Sequence, residues 1–117
     1  MSPEALAPLI RLAALRAAEA RATLGAHDAR IAAAKGRASS LGASTAPPPE
    51  DMAEARHAAT WSGWKAQARR DATMEEARLR AARPPLHRAA ARAIAQERIL
   101  AELAKGPDRN GRSSRTR

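Results

Sequence analysis

The chain has 117 residues and a formal net charge of +9, and its hydrophobic fraction of 44% is mostly alanine, with no Cys, Tyr or Phe. That length limits it to one domain, and alanine favours helix while burying little area, so a thickly cored globule, a disulfide framework and a thiolate metal site are all excluded. The basic balance admits anionic partners, namely nucleic acid, an acidic surface or an acidic protein face.

The first segment opens on Ser2-Pro3-Glu4. These give a hydroxyl N-cap, proline at the first helical position and an acid at the positive end of the dipole. Apolar and small residues then recur in alternating steps of three and four: Leu6, Ile10, Ala13, Ala17, Ala20, Leu24, His27, Ile31, Ala34, Ala38 and Leu41. That is the seam of a coiled coil. It predicts a first helix over 1–42, weakened at Gly25 and Gly36. The opening has an Arg-rich amphipathic cast, but Glu4, Glu19 and its continuity with the rest of the helix argue against a transit peptide.

Glycine, small polar residues and three prolines in "SSLGASTAPPPE" end this helix, and 43–50 is expected to be the turn. A second helix is expected over 51–105, with Glu50, Asp51 and Glu54 at its start. Its seam reads Ala58, Trp61, Lys65, Ala68, Ala72, Glu75, Leu79, Ala82, Leu86, Ala89, Ala93, Gln96, Leu100 and Leu103. Pro84-Pro85 fits equally a kink, a break near 83–85 or the first turn of a new helix. "AKGPD" stops it, and 106–117, with four arginines and no apolar residue, is expected to be a disordered basic tail.

A short linker between two long helices predicts an antiparallel coiled-coil hairpin, so the fold class is all-α. With the turn near 46–50, facing positions sum to about 96. Trp61 then packs over Ala34 and Ala38, and Leu79 faces Ala17. The first helix runs out near Ala91, leaving Ile94, Ile99, Leu100 and Leu103 as an apolar overhang that asks for another chain. The two tryptophans of "WSGW" divide the labour in this register. Trp61 is the seam residue and Trp64, set aside beside Gly63, is the handle.

Chemistry is sparse. The three histidines stand alone, the carboxylates fall on helix faces or at a helix start beside arginines, and no phosphate loop or nucleophile with a base is present. The expectation is a non-enzyme without cofactor or metal. No window is long and apolar enough to span a membrane. Nucleic-acid binding by the arginines remains a reading, although acids are interspersed and no stacking platform exists outside WSGW. Self-association as a plain coiled coil is another.

Taken together, the Arg/Ala-rich hairpin and its ending "RAAARAIAQERILAELAK" (88–105) resemble the FliJ/YscO-type proteins of bacterial flagellar and type III export systems. The resemblance spans residues 4–105 and rests on pattern. The chain departs from the family in being shorter, in carrying Pro84-Pro85 in its second helix and in lacking further aromatics. The resemblance implies a cytoplasmic stalk, peripheral to the inner membrane through an export complex, whose helix ends engage a hexameric export ATPase while the hairpin tip meets the export gate or chaperones. Within that reading Ile94, Ile99, Leu100 and Leu103 dock into the ring, Arg88, Arg92, Arg98 and Lys105 steer toward acidic loops, and Trp61 and Trp64 form the second contact.

Overall fold

A computed structural model describes residues 2–43 and 48–106. Among them it is all-helical: α1 spans Pro3–Ala43 and α2 spans Met52–Lys105. Both starts are capped as their sequences demand. Ser2 Oγ accepts from the Ala5 amide at 3.2 Å, and Asp51 Oδ1 accepts from the Glu54 amide at 2.7 Å. The Glu54 carboxylate in turn accepts from the Glu50 amide at 2.8 Å, so the Glu54 amide, orphaned at a helix start, and the Glu50 amide just before the cap are both satisfied. α2 ends at Gly106, whose φ of 81° lies in the left-handed region that terminates helices. The rest of the expected basic tail lies outside the described residues.

α2 runs unbroken through Pro84 and Pro85. Each proline removes the amide that would bond the carbonyl four residues back, so Arg80 and Ala81 lose their donors. All four of these residues are exposed, so water can satisfy the freed carbonyls. The chain divides into two compact units at this bond, Met1–Gly25 with Pro84–Arg117, and Ala26–Arg83.

In the unit of residues 26–83 the two helices run antiparallel. Asp28 meets Arg83, Arg37 meets Glu75, and Gly42 lies against the Arg69 guanidinium. Facing positions therefore sum to about 110, not 96, which is two heptads from the register expected with a tight turn. The large seam side chains explain the choice, because this register sets Ile31 opposite Leu79, where the tight-turn register sets Ile31 opposite Lys65.

The α1 seam is as the spacing predicts. Every position from Leu6 to Leu41 in that series is buried or half-buried. On α2, Ala58, Lys65, Ala68, Ala72, Leu79 and Leu86 face inward as expected, but Glu76 and Arg83 replace Glu75 and Ala82. The alternate step falls one residue later than the apolar pattern suggested, because an amphipathic Arg or Glu can lay its stem along the seam and keep its charge in water.

His27 is the buried polar side chain of this seam, at 7% exposure. Its Nε2 lies 2.5 Å from the Leu79 carbonyl, so the ring donates across the helix pair. The sum of about 96 expected from a tight turn would instead set His27 opposite Arg69. A polar residue with a single acceptor in an alanine seam fixes register where featureless alanines do not. Beside it Arg83 Nε and Asp28 Oδ1 are 2.7 Å apart, and the carboxylate raises the guanidinium's affinity for its proton through that hydrogen bond and its charge.

In the unit holding residues 2–25 and 84–106, Leu6, Ala13 and Ala17 of α1 and Ala90 of α2 form the buried set. Ala93, Ile94, Glu97, Leu100 and Ala101 are half-buried alongside them, and Arg21 reaches Glu97 at 3.5 Å. The core is thin in both units: no large side chain is fully enclosed among the described residues.

Candidate functional site

The register decides what lies at the start of α2. With Gly42 beside Arg69, α1 ends before the turns that carry Trp61 and Trp64. Trp61 shares its heptad position with Ala68, so its phase is that of the seam, yet nothing from Ala34 or Ala38 covers it. It is 46% exposed and Trp64 is 56% exposed. The expected packing of Trp61 over Ala34 and Ala38 is therefore corrected, and so is the division into one core and one handle residue. The two indoles stack on each other instead, with ring centroids 5.0 Å apart and planes 21° from parallel.

Two shallow apolar grooves flank the pair. One runs between Pro48 and Pro49 and the first turns of α2, lined there by Ala53, Glu54, His57, Ala58 and Trp61. The other lies between Trp64 and the last turns of α1, lined by Gly36, Ser40, Leu41 and Ala68. Glu50, Asp51 and Glu54 precede the tryptophan pair in the chain, and Lys65, Arg69 and Arg70 follow it. α1 has no basic residue in its own last turn, and Arg69 supplies a cation there from across the hairpin.

The second expected contact is rearranged. Ile94 and Leu100 are half-buried within their unit, so they are seam residues and not a free overhang. The physical reason is the register, which brings α1 alongside the last turns of α2. Ile99 and Leu103 remain at the surface, 60% and 59% exposed, one helical turn apart and flanked by Arg98 and Glu102. Arg88, Arg92, Arg98 and Lys105 are exposed, with Lys105 held 3.1 Å from Glu102. A further apolar surface was not singled out by the seam reading: Leu9, Leu12 and Leu15, from 40% to 62% exposed on the outer face of α1. The signal was present as leucines at three-residue steps outside the seam.

Among the described residues no group of three His, Cys, Asp or Glu side chains converges as a metal site. His27 is committed to a backbone carbonyl, and His57 lines an open groove. No described helix is long and apolar enough to cross a membrane. What the arrangement offers is apolar and aromatic surface bordered by charge, which suits binding. No protein-family model matches the chain, and no curated protein or solved structure matches it.

Proposed function

We propose that this chain is a non-enzymatic coiled-coil adaptor that binds a protein partner through the tryptophan-bearing start of α2. The observation that carries the reading is the stacked, half-exposed Trp61–Trp64 pair standing past the end of α1. Large aromatic side chains in water cost solvation free energy that a partner recovers, and tryptophan anchors interfaces at low entropic cost. The finer form of the proposal follows the resemblance to FliJ/YscO-type proteins. The chain is then a cytoplasmic stalk of a flagellar or type III export apparatus, with Ile99 and Leu103 contacting an export ATPase and the tryptophan end an export gate or chaperone.

Co-purification from the native cell at moderate salt tests the general form. Trp61→Ser with Trp64→Ser should lower recovery of the specific partner by at least tenfold while helicity by circular dichroism is kept; unchanged recovery would refute it. The finer form is tested with the purified export ATPase of the same cell. Ile99→Asp with Leu103→Asp should abolish its binding, and these exposed positions spare the seam that Leu100→Asp would damage. A steeply salt-dependent shift of random duplex by the isolated chain would instead favour nucleic-acid binding.

A further inference from the structure

We propose that the hairpin has a second register, two heptads from the one observed, in which α1 covers Trp61. Four features of the unit of residues 26–83 lead there. First, alanine is the commonest residue of its seam and recurs at heptad spacing, so sliding one helix by seven or fourteen residues keeps the apolar faces in phase. Second, the charges choose between those slips. Asp28 faces Arg83 in the observed register; seven residues earlier on α2 stands Glu76, and seven earlier again stands Arg69. A one-heptad slip sets two carboxylates face to face, whereas a two-heptad slip restores an Asp–Arg pair.

Third, the connection has the reach for both. Residues 44–51, fully extended, span roughly 30 Å. In the observed register the end of α1 stands roughly 22 Å of helix rise from the start of α2, and in the second register the two ends are separated only by the gap between adjacent helices, roughly 9 Å. Fourth, Trp61 already has the phase of a seam residue. The second register places it opposite Ala34 and Ala38, small side chains that leave room for an indole, and brings Arg37 from Glu75 to the neighbourhood of that ring, where a guanidinium is attracted. The observed register keeps Ile31 opposite Leu79 and the His27 bond to the Leu79 carbonyl, which accounts for its being the one occupied.

The consequence is a gate. The observed register presents the tryptophan end, and the second one covers it. The pair of registers stands on the helices alone, and only its use as a gate rests on the docking reading above.

Because the natural chain has no cysteine, paired substitutions report register directly. Ala38→Cys with Ala72→Cys should close rapidly to an intramolecular disulfide in the observed register. Ala38→Cys with Ala58→Cys, too far apart there, should close slowly through the second register to a monomeric product. Adding Arg83→Glu should accelerate the 38–58 closure at least tenfold, and adding Asp28→Arg to that variant, which re-pairs position 28 with 83 but opposes it to Arg69, should slow it again at least tenfold while leaving 38–72 closure rapid. No monomeric 38–58 disulfide, or a 38–58 rate indifferent to both charge changes, would overturn the proposal. If Arg83→Glu loses helicity, the chain carrying Asp28→Arg with Arg83→Glu decides alone against the unsubstituted one, since only its second register sets like charges face to face. In a Trp64→Phe background the 38–58 linked form should show blue-shifted Trp61 emission, which reads coverage without any partner and so separates failure of the gate from failure of the docking reading.

Discussion

Ile31 is the place to test the helix packing, because it is the bulkiest buried side chain of its unit, 7% exposed in a seam where alanine is the commonest residue. Ile31→Ala removes three carbons, a transfer loss of about 2.4 kcal/mol at ~0.8 kcal/mol per buried methylene. Two corrections follow from the setting. The site borders half-exposed Leu79, so the gap partly collapses and adds little cavity cost, and alanine regains about 0.4 kcal/mol of helix propensity over isoleucine. A net loss of about 2 kcal/mol remains, which for a helical unit of this size lowers Tm by roughly 8–16 °C. Thermal unfolding followed by circular dichroism at 222 nm measures it. The matched control is Leu15→Ala, a leucine 62% exposed on the outer face of α1, expected to shift stability by less than about 0.5 kcal/mol. Equal losses from the two variants would refute the assignment of the buried face.

Pro84→Ala and Pro85→Ala each restore a backbone donor to an exposed stretch of α2 and should raise Tm, with a ceiling of about 3 kcal/mol apiece. Gly25→Ala should stabilise by up to about 1 kcal/mol because its added Cβ meets nothing within 4 Å, whereas the Cβ of Gly42→Ala would stand 3.0 Å from the Arg69 guanidinium and lose that gain. Asp28→Asn should lower Tm at low salt and much less in 1 M NaCl, since the pair it breaks is half-exposed. The raised Arg83 pKa means that the guanidinium's share of this pair is fully present below its ordinary titration range and is lost only as pH rises through the higher folded value, so Tm of the natural chain should show no loss from Arg83 across the neutral and mildly alkaline range. Trp61→Phe and Trp64→Phe should leave emission that is red-shifted and readily quenched in both cases, and a strongly shielded Trp61 as the major form would contradict the observed register.

The helices, their caps and the whole α1 seam were legible in the residues, because each depends on local spacing and local donors. Register was not. A seam of alanines offers the same small surface at every heptad, and the features that select among registers are single long-range contacts: His27 with the Leu79 carbonyl, Asp28 with Arg83 and Arg37 with Glu75. Reading the turn as tight placed Trp61 under α1 and freed the last turns of α2, and both errors have that one source. Arg83 was missed as a seam position for a related reason. A long cation with an apolar stem reads as surface in a sequence, although its stem can line a helix interface.

The alanine seam also bears on how the protein responds to temperature. The buried set is Leu6, Ala13, Ala17, Ile31, Ala34, Ala72 and Ala90, with His27 among them, so unfolding uncovers little hydrocarbon for its length. Newly wetted apolar surface is what gives unfolding its positive heat-capacity change, ordinarily about 12–15 cal/mol/K per residue. This chain should fall below that range. Its stability curve is then flat, its calorimetric transition broad, and its cold-denaturation limit far below the freezing point of water.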